Sequence, residues 1–387
     1  MLAGKWNYPT AITVGQGCLN ELPSHCEALG MSKPLLVTDP GLASLPMVTG
    51  AVENCKKQGL GIAVFSDVQG NPTGENVEAG VLAYNAGNHD GVIAFGGGSS
   101  LDAAKAIALC AGQTRPVWDF EDIGDNWTRA DPSAIAPVIA IPTTAGTGSE
   151  VGRASVITDA SNHSKKIIFH PQMLPVQVLL DPEVTTGLPP HITAATGMDA
   201  LSHNLEALCA PGYHPMADGI AMEGIRLIRD FLPVAYSDGG NIEARTQLLV
   251  ASSMGATAFQ KGLGGMHALA HTLGGLYDKH HGLLNAILMP YVMVSNRDEI
   301  SAKMAALGQY LGLEAPDFDS VLNWVLDLRS SLGIPNTLAE IGISIGDAEL
   351  VGKMAEVDPT AGTNPIHFSA AEYSQIFIRS VEGKLSQ

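Results

Sequence analysis

The chain is short of cysteine, of aromatic residues and of positive charge, and each shortage removes a class of function. Its five cysteines (Cys18, Cys26, Cys55, Cys110 and Cys209) are odd in number, and no two stand at CxxC spacing. That usage predicts free thiols in a reducing compartment and argues against a sulfur-ligated metal. Lysine and arginine total 21 against 39 acidic residues, a formal charge of −18 spread along the chain without an acidic or basic tail. A surface of that sign repels phosphate backbones and anionic lipid, so neither nucleic acid nor membrane is an expected partner. No apolar run is long enough to span a bilayer. The opening MLAGKWNYPT lacks the basic-then-apolar form of a secretion signal, so the cytoplasm is the expected compartment. Solenoid repeats and low-complexity segments are also missing.

What is present is ample apolar material, 45% of 387 residues, which is more than one ordinary core needs. In the first half, short apolar runs alternate with helical stretches. LLVT (35–38), IAVF (62–65), VIAF (92–95) and VIAI (138–141) read as strands buried on both faces, with helices clearest at 75–87 and 101–112. Such alternation predicts an α/β domain with a mostly parallel sheet covered on both sides, whose ligands bind beyond the carboxyl ends of the strands. Past Pro189–Pro190 the texture changes to long helical patterns over 191–209, 215–235, 241–261, 265–279, 297–312, 317–333 and 369–383. The expected organisation is an N-terminal α/β domain over 1–187 followed by an all-α domain over 188–387, with the intervening cleft as the default site.

The most informative stretch is GMHALAHTLGGLYDKHHG, which holds four of the twelve histidines: His267, His271, His280 and His281. His267 and His271 are four apart and share one helix face. Upstream, GMDALSHNLEAL repeats the spacing with Asp199 and His203. One buried histidine is more often a core residue than a ligand. Four with an acid at matching spacing are costly to bury without a task. Imidazole and carboxylate together suit a transition metal such as iron or zinc.

A second stretch, VIAFGGGSSLDAAKAIAL, runs a strand through Gly96, Gly97 and Gly98 directly into a helix. Glycines let the backbone approach a phosphate, and the free N–H groups at the helix start favour an anion. Ser99 or Ser100 is the expected helix cap, with Asp102 near the positive end. A simple strand-to-helix turn is the alternative, because the dinucleotide fingerprint needs a further glycine where Leu101 stands. Asp39, closing the first strand, offers a carboxylate to an adenosine ribose and repels a 2′-phosphate. In IPTTAGTGSEV, Thr143, Thr144, Thr147 and Ser149 alternate with glycines, a composition that suits a diphosphate and ribose as well as a plain polar loop.

Taken in order, GGGSSLDAAK, PTTAGTGSEV, LLDPEVTTGLPP, GMDALSHNLEAL and HALAHTLGGLYDKHHGLLNAILMP resemble the iron-containing (group III) alcohol dehydrogenases, from about Tyr8 to about Glu382. The resemblance implies an NAD-dependent enzyme acting on a small alcohol or aldehyde, with one divalent metal, Fe2+ or else Zn2+. It implies Asp199, His203, His267 and His281 as ligands, and a proton-relay or positioning role for His271. His280 stands where the family usually has proline, so it counts as a neighbour. On the cofactor side, Asp39 matches the position that favours NAD over NADP. Asn71 falls in an NPT segment near the nucleotide. Gly97, Gly98 and Ser99 resemble the diphosphate cradle, with Asp102 counted among the cofactor-binding residues, and Thr143, Thr144, Thr147 and Ser149 the threonine-rich wall. Lys165 resembles a lysine on the nicotinamide ribose, and Leu180 a residue packed near the nicotinamide. A homodimer through the N-terminal strands is a further expectation.

Gly152, Arg153, Gln260 and Lys261 depart from the family's usual residues at positions expected on the substrate side. Arg153 could meet a substrate carboxylate or form a structural salt bridge. Two rival functions are a metal- and NAD-dependent lyase or cyclase of dehydroquinate synthase type, and a non-catalytic nucleotide-binding protein. The first needs several basic residues near the metal, where only Lys279 lies between His267 and His281. The second would be expected to have lost the ligand set.

Overall fold

The computed structural model describes residues 10–161 and 164–385. They divide into two compact units at Gly187–Leu188. The first contains strands β1 (Ala11–Val14), β2 (Pro34–Val37), β3 (Ala63–Phe65), β4 (Gly91–Gly96), β5 (Val138–Pro142), β6 (Ala154–Asp159), β7 (Ser164–Phe169) and β8 (Gln177–Leu180). Six of them form one sheet in the order β1-β8-β5-β4-β2-β3, every pairing parallel. β2, β4 and β5 are buried along their whole length, as parallel strands covered on both faces must be. Helices α1 (Leu22–Ala28), α2 (Pro46–Lys57), α3 (Gly74–Gly87) and α4 (Gly98–Cys110) supply the cover. Leu22 and Cys26 of α1 and Val48, Val52 and Cys55 of α2 pack with Leu36, Ile93, Phe95, Ile139 and Ile141 of the sheet. The five cysteines are buried and unpaired, as their scatter predicts.

The strands expected at 35–38, 62–65, 92–95 and 138–141 are β2 to β5 with ends moved by a residue or so. Less legible were β1, β8 and the antiparallel hairpin β6–β7, which stands outside the main sheet. Its second strand, SKKIIF, is only partly buried and carries two lysines, so no apolar alternation marks it. The helix cap also differs from expectation. Gly97, with extended backbone, occupies the cap of α4, and Ser99 and Ser100 lie inside the first turn. Ser100 instead donates to Asp39 Oδ2 at 3.3 Å.

The second unit is helical: α5 (Pro190–Cys209), α6 (Pro215–Ser237), α7 (Ile242–Ala258), α8 (Gly265–Tyr277), α9 (His281–Ser295), α10 (Arg297–Tyr310), α11 (Phe318–Ser331), α12 (Ala348–Glu356) and α13 (Ala370–Glu382). Among the described residues it holds no strand. α5 is buried continuously from Thr193 to Cys209, with α6, α7 and α9 packed around it. Its last carbonyls, on Leu208, Cys209 and Ala210, all accept from Lys303 Nζ at 2.8, 2.9 and 3.0 Å. A cation there satisfies carbonyls that have no partner within the helix and complements its negative end. Seven helices match expected segments; α9 and α12 do not. α9 is buried on every side and contains Pro290, so it shows no 3.6-residue period. α12 is nine residues long, too short for a period to stand out.

Candidate metal centre and nucleotide site

Asp199 and His203 lie four residues apart on α5, His267 on α8 and His281 at the first residue of α9. Each offers one ligand atom, and these atoms all lie within 4.8 Å of one another. Asp199, His203 and His267 are buried, and His281 is half-buried. Burial by itself would raise the Asp199 carboxyl. Positive charge on the imidazoles of His203, His281 and His267, as when they are protonated, outweighs it with the Asn285 amide and brings the pKa down to about 2.

The donor set can be tested against a cation. Asn285 Nδ2 lies 2.9 Å from Asp199 Oδ1, 3.3 Å from His267 Nε2 and 3.1 Å from His281 Nε2. Three acceptors therefore face an amide that has two hydrogens. A buried lone pair left over is costly, and a divalent cation satisfies all of them together. Three imidazoles and one carboxylate fit such an ion and leave coordination open for a further oxygen.

The HxxxH pair on α8 divides its work. His267 Nδ1 donates to Glu206 Oε2 at 2.7 Å, leaving Nε2 toward the cluster. His271 Nδ1 donates to Asp358 Oδ2 at 3.1 Å, and its ring stacks on His281 with centroids 5.2 Å apart. His271 is thus beside the cluster without supplying one of the four atoms. Burial works to raise the Asp358 carboxyl, but hydrogen bonds from His271 and Thr360 leave it below its ordinary value. His280 caps α9, its Nδ1 accepting from Leu283 N at 3.4 Å.

Glu206, Asn285 and Asp358 escape a search for ligand spacing. Glu206 had a signal, since 199, 203 and 206 repeat at i, i+4 and i+7 on one helix face. Asn285 likewise follows His281 by four.

In the α/β unit the strand order reverses beside β2, with β3 on one side and β4 on the other. Asp39 follows β2 and the glycine turn follows β4, so both stand at this switch point, beyond carboxyl strand ends. Asp39 is anchored by its own turn, accepting from Gly41 N at 2.9 Å and Leu42 N at 3.1 Å. Gly96 has φ +152°, and a side chain there would strike Ser100. A Cβ on Gly98 would come within 2.6 Å of Thr147 Cγ2, so the threonine loop lies directly against the start of α4.

Asn71, in left-handed conformation at φ 55°, donates its N–H to Ser99 Oγ at 3.3 Å and accepts from Lys165 Nζ at 2.9 Å. Three of the expected cofactor residues therefore meet. Thr143 is buried and bonds Gly96 O through its N–H, placing 143–149 beside the glycine turn. Asp102 is committed within the protein, accepting from Ser149 Oγ at 2.5 Å and Val156 N at 2.9 Å and pairing with Lys105 at 3.3 Å. It braces α4 to the threonine loop and to β6. Leu180 is buried at the end of β8.

The residues that depart from the family pattern have internal partners. The Lys261 side chain is buried and donates to Leu208 O and Asp218, so its charge sits at the C-terminus of α5. Arg153 lies over the Phe169 ring at 5.6 Å. Burial pushes the Asp122 carboxyl up, and Arg153 nearby opposes the shift.

A parallel sheet with a glycine turn at its switch point and, in the helical unit, an aspartate–tris-histidine cluster able to hold a metal are what an oxidoreductase of the metal-binding kind requires. The chain matches the family descriptions "Iron-containing alcohol dehydrogenase" over residues 9–182 and "Fe-containing alcohol dehydrogenase family, C-terminal" over 193–381. It belongs to the iron-containing alcohol dehydrogenase family. It is 39% identical over 384 residues to the 4-hydroxybutyrate dehydrogenase of Cupriavidus necator, spanning 97% of this chain and 99% of that protein. It is 34% identical over 375 residues to the NAD-dependent methanol dehydrogenase of Bacillus methanolicus, spanning 95% and 97%. Among solved structures, a 1,3-propanediol oxidoreductase superposes with TM-score 0.92 at 33% identity, covering 97% of this chain and all of the other. The sulfoacetaldehyde reductase of Bifidobacterium kashiwanohense, solved in complex with NAD+, gives 0.89 at 27% identity, covering 98% and 99%.

Proposed function

We propose that the chain is an NAD-dependent oxidoreductase interconverting a small primary alcohol, diol or hydroxy acid and its aldehyde. It would hold one divalent cation, Fe2+ or Zn2+, through Asp199, His203, His267 and His281. The observation that carries this reading is the convergence of those four ligand atoms within 4.8 Å, in a chain related along its whole length to alcohol dehydrogenases. When bound, the cation supplies Lewis acidity toward the substrate oxygen, and NAD supplies the hydride acceptor.

The protein's own residues do the rest. Asp199, His203 and His267 are buried, which keeps water from their ligand atoms and strengthens their field. His271 has Nδ1 fixed by Asp358, leaving Nε2 to take up and release the hydroxyl proton. In the α/β unit, Gly97, Gly98 and Ser99 offer free N–H groups at the start of α4 to the diphosphate. Thr143, Thr144, Thr147 and Ser149 give hydroxyls beside it. Asn71 and Lys165 are read as ribose contacts and Leu180 as a wall. The Asp39 carboxylate favours NAD by repelling a 2′-phosphate. A homodimer is supported by β1, an edge strand that exposes Ile12 and Val14. A cytoplasmic location is supported by the unpaired thiols. No helix among the described residues is long and apolar enough to cross a membrane.

The test joins metal analysis of anaerobically purified protein to a screen for NAD reduction with short alcohols, diols and hydroxy acids. Activity should require the cation, and His267→Ala or His281→Ala should lose bound metal and turnover together. Full turnover in either variant would sink the assignment. A lyase would return its cofactor unchanged, so net NADH formation separates that reading.

A further inference from the structure

α8 brings His267 to the cluster, yet it has no side-chain cap of its own, because its N-cap residue is Gly264. The acceptor comes through space from α5. Glu206 Oε2 takes Gly264 N at 2.8 Å and Oε1 takes Met266 N at 2.7 Å, while Asn364 Oδ1 takes Gly265 N at 2.9 Å. Glu206 Oε2 also receives the N–H of His267 Nδ1 at 2.7 Å. This carboxylate is 5% exposed and the imidazole 1%. A side chain on Gly264 would sit 2.9 Å from Glu206 Oε1, so the approach depends on glycine.

We propose that Glu206 is the positioning residue that sets the His267 tautomer and fixes α8 against α5, so that Nε2 is bare and aimed where Asp199 and His203 of the same α5 aim. The inference rests on the metal reading above for its purpose, but its tautomer can be observed without any metal. An imidazole ring is a ligand only through an unprotonated nitrogen, and its one proton must sit somewhere. With a buried carboxylate at Nδ1, the proton stays there, and Nε2 keeps its lone pair. The same carboxylate satisfies two N–H groups that an α-helix cannot satisfy internally, so displacing it would loosen the end of α8 that bears the ligand. Asp358 repeats the arrangement on His271 with the other helix-face histidine, leaving its Nε2 free as well. Thus α8 presents two histidines in one tautomer, each set from a different element.

The experiment is nitrogen NMR of 15N-histidine-labelled full-length protein, metal-stripped and zinc-loaded, with zinc affinity measured by chelator competition. Wild-type His267 should be protonated at Nδ1 in both states. Glu206→Met keeps chain length but removes every acceptor; it should mix the tautomers and weaken zinc binding 10- to 100-fold. Glu206→Gln retains one oxygen for Gly264 and His267, and should keep the Nδ1–H form with affinity within about tenfold of wild type. A wild-type His267 protonated at Nε2 overturns the proposal even if the methionine variant does not fold. So does a Glu206→Met protein with unchanged tautomer and affinity. Wild type that keeps the Nδ1–H form but binds no zinc would instead overturn the metal reading and leave the positioning geometry standing.

Discussion

Gly282, the residue after His281, is where helix packing and the cluster meet. An added Cβ would lie 2.4 Å from Ala195 O and 3.0 Å from Asp199 Cβ, with backbone on the near side and nothing flexible to yield. Ordinary contact begins near 3.4 Å. Gly282→Ala must therefore push α9 from α5 by roughly 1 Å, while metal–ligand distances tolerate about 0.2 Å. His281 Nε2 stands 3.7 Å from Asp199 Oδ1 across that gap, so the displacement separates two ligands directly. Overpacking costs about 1–3 kcal/mol, and alanine regains at most about 1 kcal/mol of helix propensity. The net loss of up to about 2 kcal/mol corresponds to a melting temperature lower by up to about 8 °C for a unit of this size. Gly219, exposed in α6 with nothing within 4 Å of an added Cβ, is the control; Gly219→Ala should melt higher. Calorimetry of the zinc-loaded protein and chelator competition read both effects. A Gly282→Ala protein that melts no lower than wild type and binds zinc equally well would refute the packing argument.

Asp39→Asn keeps the oxygen that accepts from Gly41 and Leu42 but drops the charge. Removing about 1–2 kcal/mol of repulsion should raise kcat/KM for NADP on the order of tenfold, and steady-state kinetics with both cofactors check it. Hydrogen bonds from Arg226, helped by Tyr310, hold the Glu223 carboxyl at about 2 against an ordinary 4.5. Its folded value lies below its unfolded one, so its stabilisation is present above about pH 4.5 and lost as pH falls toward 2. Glu223→Gln should flatten stability against pH in that window alone, by less than about 1 kcal/mol because the pair is partly exposed. Denaturant midpoints at successive pH values measure it, and a change confined to neutral pH would contradict the assignment.

Much of the fold was readable because the parallel strands are buried on both faces and so spell continuous apolar runs, as in VIAF and VIAI. The same reasoning failed where burial is complete in a helix. LLNAILMPYVMV in α9 has no polar side to reveal its period. β1 is a four-residue edge, and the hairpin's lysines hide its pairing. At the site, spacing alone favours His267 with His271 as joint ligands. Three dimensions bring His281 into the set instead, because α9 starts there and turns its first residue inward, which no local period encodes. Glu206 lay in view within GMDALSHNLEAL at i+7 from Asp199, but that spacing marks a shared helix face without saying that the carboxylate serves a histidine instead of a metal.

Every one of the four candidate ligands follows Gly187 in the chain. A cation gripped there would lend its binding free energy to the unit that carries the ligands, growing with the logarithm of its concentration over the dissociation constant. A nucleotide seated on Asp39 and the glycine turn lends its own to the other. Loss of a cation would therefore be felt first by the helical unit, which carries all four candidate ligands, and loss of a nucleotide by the α/β unit.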